Sequence, residues 1–312
     1  MDTWFDILKV SKLRIDILVS LAVICLAGCT SNESITMISE YAKQSTQVQE
    51  ALMGVYESAD EARINAELAK ATRDGITETG LNISTIENTG QEALLQNLQI
   101  FSQSIYLLAT EDRNEELDKY SEKLNSSLIS LSKIPQSNNI DSKDIELLST
   151  SANALARAYT EKIRYDLLKK VIIDSETIIQ ISFKSLRDEL GSWKEATKVS
   201  LEKELRIRLY LLNNPNRCDE SEDKRCVTFY HSLEERINAY KKAYEIKAKL
   251  NGLNAKFLKL ESALNAIQTL NQSIVISLKS DDDLTKDAFK KALKSTKTQI
   301  DDIKEFRDRI KD

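Results

Sequence analysis

Apolar residues recur along most of this chain at spacings of three and four, the periodicity of an α-helix that buries one face. In the first such segment, about residues 34 to 72, the positions are Ile38, Tyr41, Ser45, Val48, Leu52, Val55, Ala59, Ala62, Ala66 and Ala69. A period of 3.5 residues keeps one face of a helix towards a partner along its whole length. The pattern predicts a long helix whose alanine-rich second half is closely approached by another helix.

Further helical segments follow at about 84 to 109 and 112 to 133, and Pro135 with the polar residues 136–139 then forms the clearest internal boundary. From Asp141, whose side chain suits an N-cap, helical spacing continues to about Leu212, which would span about 105 Å if unbroken. Residues 227 to 279 return alongside it with a heptad series of Leu253, Phe257, Leu260, Leu264, Ile267, Asn271, Ile274 and Leu278. Asn271 in that series fixes the register of the partner helix at a cost in stability. A last helix is predicted at about 282 to 310.

Strand-like alternation bounded by turn residues is not visible anywhere in the sequence. The fold class predicted is therefore all-α, an elongated antiparallel helical bundle with coiled-coil-like long helices. It divides into an N-terminal helical part, residues 36–134, and a long helical hairpin with a C-terminal helix, residues 141–312. The pattern leaves open whether these form one rod or two subdomains.

The first residues have the pattern of an export signal. Lys9, Lys12 and Arg14 precede a run without charge from Ile17 to Gly28, which has the length of a signal-peptide apolar region. Twelve residues are well short of the roughly 20 that span a bilayer as a helix. A permanent transmembrane anchor is therefore the weaker interpretation.

The run ends in Leu26-Ala27-Gly28-Cys29, which resembles the lipobox of bacterial lipoproteins. The resemblance implies that residues 1–28 are removed as a signal peptide by cleavage between Gly28 and Cys29. It also implies that Cys29 carries a diacylglyceryl group, that fatty acids such as palmitate anchor the protein, and that residues 29–35 form a short tether. Two or three acyl chains make attachment effectively stable. Thr30 follows the lipid site, so in a Gram-negative host the resemblance implies sorting to the outer membrane, facing the periplasm.

Cys218 and Cys226 are the cysteines left after Cys25 departs with the signal and Cys29 is lipidated. An even remainder in an exported chain favours a disulfide, which would close the tip of a helical hairpin just after Pro215. A metal site is the alternative, but no histidine or further cysteine lies nearby in sequence to complete a tetrahedral set.

The composition and motifs give few indications of catalysis or ligand binding. The formal charge of −5 gives no basic footprint for nucleic acid. His231 is the single histidine, and no nucleophile elbow, metalloprotease motif or glycine-rich phosphate loop occurs. We therefore expect no enzyme activity, no cofactor and no metal. Trp193 falls on a helical stripe and is expected to lie in the core.

Three hypotheses of function remain. The leading one is an envelope lipoprotein that acts as a non-enzymatic helical scaffold or protein-interaction module, with an envelope protein or a second copy as its partner. The alternative is a membrane-active, pore-forming-like helical protein, whose candidate segment is the apolar run Val171 to Phe183; its Asp174 and Glu176 favour burial in the bundle instead. An enzyme that uses only carboxylates and tyrosines is the third.

Overall fold

A computed structural model describes the backbone of residues 3–75, 83, 89–110, 114–133, 142–155, 161–218, 226–280 and 282–311. Within these ranges it describes side chains except at residues 3–32, 89, 114–115, 142–145, 147–148, 161, 217–218, 226–227, 283 and 305–311. The chain is an all-α bundle, as the periodicity predicts. The described helices are α1 (Thr3–Asp74), α2 (Thr89–Thr110), α3 (Asn114–Ser132), α4 (Ser142–Leu155), α5 (Glu161–Asp174), α6 (Glu176–Asn213), α7 (Leu233–Ser280) and α8 (Asp283–Lys311).

The central element is α1, which packs against α2, α6, α7 and α8. All ten positions of its predicted seam are buried, from Ile38 to Ala69. The predicted seam of α7 is confirmed equally, since its eight positions from Leu253 to Leu278 are all buried. Helical spacing therefore identified correctly which face each of these two helices turns inward.

One large apolar core occupies what we call the base of the molecule. It contains residues from all eight helices, with Tyr41, Phe101, Phe183 and Phe289 among the largest fully buried side chains. Trp193 lies at its edge with its ring perpendicular to that of Tyr56, the ring centroids 4.3 Å apart. The expectation that Trp193 is a core residue is thus confirmed.

A thinner region, which we call the stalk, extends from the base and is built from α1, α6 and α7. Two small apolar clusters hold its described residues together. In the first, Ala62 packs with Leu201 and Ile246; in the second, Ala69 packs with Ile207 and Leu211. The alanines of α1 therefore face α6 and α7, as their small size predicts.

Two boundaries differ from the sequence expectation. α1 begins at Thr3, so the helix also takes in residues 29–35 and the apolar run before them. The predicted single helix from Asp141 to Leu212 is instead three helices, α4, α5 and α6. Between α5 and α6, Ser175 has φ −81° and ψ −4°, away from the helical ψ of about −42°, while its backbone nitrogen still donates to the oxygen of Val171 at 2.9 Å.

A two-stranded antiparallel ribbon forms the end of the stalk. β1 (Asn216–Cys218) pairs with β2 (Cys226–Thr228). The sequence shows no strand-like alternation at this point. Each strand is only three residues long, which is too short for an alternating pattern to show in the sequence.

Candidate functional site

The lipidation site predicted from the sequence lies in the first part of α1. The backbone of Gly28 and Cys29 is helical, but their side chains are outside the described residues. In the part of the chain whose side chains the structure describes, no helix is both long enough and apolar enough to cross a membrane.

The ribbon brings the two remaining cysteines together in register. Cys218 lies directly opposite Cys226. The backbone nitrogen of Phe229 donates to the oxygen of Pro215 at 2.8 Å, which makes that pair a hydrogen-bonded one. Because bonded and non-bonded pairs alternate along an antiparallel ladder, Cys218 and Cys226 form a non-bonded pair, with Cα atoms about 4.5 Å apart. The side chains of both cysteines are outside the described residues.

Aromatic side chains close the stalk just after the ribbon. Phe229 and Tyr230 pack on the cluster of Ala69, Ile207 and Leu211. Partial burial raises the pKa of the Tyr230 hydroxyl, with the positive charge of nearby Arg208 acting in the opposite direction. The ribbon is thereby fixed to the ends of α1 and α6.

The start of α7 is a capped helix terminus. The Ser232 hydroxyl oxygen accepts a hydrogen bond from the backbone nitrogen of Glu235 at 3.1 Å, and the Glu235 carboxylate accepts one from the backbone nitrogen of His231 at 2.6 Å. This arrangement closely resembles a capping box. The Ser-x-x-Glu spacing that announces it is present in the sequence, but sequence reasoning missed it. His231 itself is exposed.

The first turns of α7 carry large apolar side chains on the surface. Leu233 is 75% exposed, Ile237 45%, Tyr240 48% and Tyr244 75%. Their spacing of four, three and four places them on one helix face. Basic side chains at Arg236, Lys241 and Lys247 flank them. An exposed apolar face of this kind typically marks an interaction site.

A groove of about 370 Å³ lies on the other side of the stalk, between α1 and α6. It is lined by Lys70, Arg73, Val199, Glu202, Lys203, Arg206 and Ile207. Lys203 donates to Glu67 at 2.6 Å and Arg73 to Asp74 at 2.7 Å. These bonds lower the pKa of the Glu67 carboxyl and raise that of the Arg73 guanidinium. Two of the four cations at the groove are thus engaged in ion pairs, as is usual for a solvated helix surface.

The described side chains offer few groups for catalysis or metal binding. Within the described part of the chain, no three His, Cys, Asp or Glu side chains come together so that they could hold a metal ion. The candidate site is therefore the stalk end, which combines the cysteine pair, the aromatic closure and the exposed face of α7. No protein-family model, curated protein or solved structure matches this chain.

Proposed function

We propose that this chain is the precursor of a bacterial envelope lipoprotein whose helical domain is a non-enzymatic scaffold or protein-interaction module. The observation that carries the proposal is Leu26-Ala27-Gly28-Cys29 at the end of an uncharged run that follows three basic residues. The thiolate is the nucleophile that takes up the lipid, and small residues before it suit a peptidase site. In a Gram-negative host, Thr30 favours the outer membrane, facing the periplasm.

The shape of the molecule supports an interaction role. α1 runs from the lipid site to the end of the stalk, and Cys29 to Asp74 of a straight helix spans about 69 Å. The exposed face of α7 begins at that far end. An anchored molecule of this form carries an apolar surface far from its lipid site.

The backbone register supports a disulfide between Cys218 and Cys226. A Cα separation of about 4.5 Å lies within the range that disulfides span. The nine-residue loop from Cys218 to Cys226 would be closed at the stalk end. Its role would be structural, holding the ribbon that carries Phe229 and Tyr230.

The apolar segment of the membrane-active alternative lies in the core. Val171, Ile172, Ile178, Ile179 and Phe183 are each no more than 1% exposed. Asp174 is at the surface, where it accepts a hydrogen bond from Lys170 at 2.7 Å. The interpretation of this segment as a buried part of the bundle is confirmed, and no observation favours pore formation.

Metabolic labelling tests the anchor. Cells that express the full-length chain are fed an alkyne analogue of palmitate, and label and membrane fractionation are compared for Cys29→Ala and Cys25→Ala. We expect Cys29→Ala to lose the label and accumulate unprocessed, while the matched Cys25→Ala variant behaves like the parent. Equal labelling of all three proteins would refute the lipoprotein assignment.

In-cell crosslinking followed by affinity purification through a C-terminal tag tests the interaction role. We expect a specific envelope protein, or a second copy, that is lost or relocated with Cys29→Ala. A defined hydrolase activity of the purified domain would contradict the scaffold proposal.

A further inference from the structure

The exposed apolar face of α7 is part of a longer stripe. Its members recur at steps of three and four and are all exposed: Leu233, Ile237, Tyr240, Tyr244, Ala248, Asn251, Ala255 and Leu258. At 3.6 residues per turn they fall within about 80° of arc. The side chains that α7 buries over this stretch, such as Ile246 and Phe257, lie on a different side of the helix. α7 therefore has two apolar seams, and the described chain covers one of them.

We propose that this α7 stripe binds the α7 stripe of a second copy, with the two helices antiparallel about a two-fold axis level with residues 245 and 246. The inference deepens the proposed interaction role and rests on it. In this register Leu233 meets Leu258 of the second copy, Ile237 meets Ala255, Tyr240 meets Asn251, and Tyr244 meets Ala248. In three of these four pairs a large side chain faces a smaller one, which lets two helix surfaces interdigitate. A two-fold interface of this kind uses the same patch on both copies.

The charges beside the stripe fit the antiparallel direction. Glu234 of one copy comes beside Lys259 of the other, whose ammonium group also donates to the backbone oxygen of Asp302 at 3.3 Å. Lys241 faces Gly252, and Arg236 faces Asn254. At these three flanking positions no like charges oppose each other, whereas Lys247, which also flanks the stripe, comes close to Lys247 of the second copy at the two-fold axis.

The parallel direction is disfavoured by the same residues. It would set Arg236 against Lys241 of the second copy, on both sides of the pair, and like charges at such positions oppose association. It would also place each tyrosine of the stripe opposite the same tyrosine of the second copy, and each alanine opposite the same alanine. Some levels of the interface would then hold two large side chains and others two small ones. Charge and size therefore select the antiparallel pair.

The arrangement fixes how two anchored copies meet. α1 and α7 are antiparallel, with Tyr41 bonded to Asn271 in the base and Ala62 packed on Ile246 in the stalk. An antiparallel pair of α7 helices then puts the two bases at opposite ends of the dimer, with the outer ends of the two helices about 100 Å apart. Copies anchored in one leaflet therefore pair with their long axes along the membrane.

Site-directed disulfide trapping in native membranes tests the register. The full-length lipoprotein carries Ile237→Cys together with Ala255→Cys, positions that lie about 27 Å apart within one helix, so a bond between them joins two copies. We expect a covalent dimer on a non-reducing gel. The matched control carries Lys242→Cys with Lys249→Cys. These two positions are exposed and centred on the same level of α7, but they lie off the stripe. We expect the control protein to remain monomeric. The proposal is overturned if the test pair gives no more dimer than this control, or if Ile237→Cys alone gives as much dimer as the pair.

Light scattering of the full-length protein in mild detergent gives an independent measure. We expect Ile237→Asp to halve the protein mass, whereas Asn238→Asp, the neighbouring exposed position, keeps the parent's mass. The proposal is overturned if the parent protein is monomeric at micromolar concentration. It is also overturned if the protein is a monomer and its Cys29→Ala form binds anionic vesicles through Ile237. The protein mass measured in detergent does not depend on the lipid anchor. A monomeric result would therefore leave the lipoprotein assignment standing, and a protein without lipid could still be tested for pairing.

Discussion

At the scale of residues, polar side chains inside the base link α1 to its neighbours. The Tyr41 hydroxyl donates to Asn271 Oδ1 at 2.6 Å, with both groups buried. Gln49 Nε2 donates to the hydroxyls of Ser45 and Ser102, each at 3.0 Å, which joins α1 to α2. Buried polar groups are costly when unpaired, so these bonds fix which residues lie opposite one another. The sequence marked Asn271 as a register residue, but only the tertiary structure gives it Tyr41 as its partner.

Tyr41→Phe is expected to lower the free energy of unfolding by about 1 to 3 kcal/mol, because it leaves the Asn271 carbonyl buried without its donor. The Asn271 amide nitrogen already has no hydrogen-bond partner among the described residues. Adding Asn271→Leu to Tyr41→Phe should therefore recover most of the loss. Urea denaturation of the single and double variants measures this coupling, and simple additivity of the two losses would contradict it.

Stability should also fall at alkaline pH. Burial raises the pKa of the Tyr41 and Tyr56 hydroxyls, and the carboxylates of Glu189 and Glu92 raise that of Tyr56 further. The folded state therefore holds these protons more tightly than the unfolded state, whose tyrosine pKa is about 10. The stabilisation is complete below that value and is lost as the pH rises beyond it.

Urea denaturation across this pH range, for the parent and for Tyr41→Phe with Tyr56→Phe, checks the assignment. The double variant should lose less stability above pH about 10 than the parent does. Tyr244→Phe, at a position that is 75% exposed, is the control and should leave the slope unchanged.

At the scale of elements, the second half of α1 is defined by its small residues. Ala62 packs with Leu201 of α6 and Ile246 of α7, and is 5% exposed. Ala62→Leu should therefore destabilise the protein by about 1 to 3 kcal/mol through overpacking. The same new side chain at the adjacent exposed position, Glu61→Leu, should change stability by no more than about 0.5 kcal/mol. Thermal and urea unfolding of both variants compare the two faces of one helical turn.

The ribbon at the stalk end carries a prediction about redox state. If Cys218 and Cys226 are bonded, the mature protein unfolded without reductant should show no free thiol. Cys218→Ser with Cys226→Ser should then lower the free energy of unfolding by about 2.5 kcal/mol in the chain-entropy model. Two reactive thiols in freshly purified protein would contradict the disulfide.

At the scale of the whole molecule, the apolar core is distributed unevenly. The base is held by one cluster with contributions from eight helices, whereas the described stalk is held by two small clusters. From Leu233 to Lys242 all side chains of α7 are exposed except Ala239, which is half-buried. Backbone regions with few buried apolar contacts open at lower free energy than those in the core.

Hydrogen exchange measured by mass spectrometry should reflect this division. We expect peptides from residues 233–246 of α7 to exchange faster than peptides from residues 257–278 of the same helix. Peptides from Ile178 to Leu190 of α6 should be as slow as the latter, since they share the base core. Uniform protection along α7 would contradict the division into base and stalk.

The sequence by itself determined the helical class and the inward faces of the long helices. A period of 3.5 residues is a local property, so the seams of α1 and α7 could be read without knowing their partners. The bounds of α3 and α8 and the end of α2 also agree within two residues with the expectation, while the predicted start of the second helix, at about residue 84, lies outside the described residues. The lipobox-like residues and the two remaining cysteines gave predictions of lipidation and of a disulfide, and both stay predictions.

Tertiary structure decided the rest. Ser175 separates α5 from α6 although neither proline nor glycine occurs there, since packing of both segments in the base sets their directions. The ribbon of Asn216–Cys218 and Cys226–Thr228 forms between short segments that the ends of α6 and α7 bring together. The α7 stripe has the same spacing as a buried seam, and whether such a stripe is covered depends on where every other helix lies. Local periodicity therefore fixed the helices, and long-range packing determined which of their faces the bundle leaves exposed.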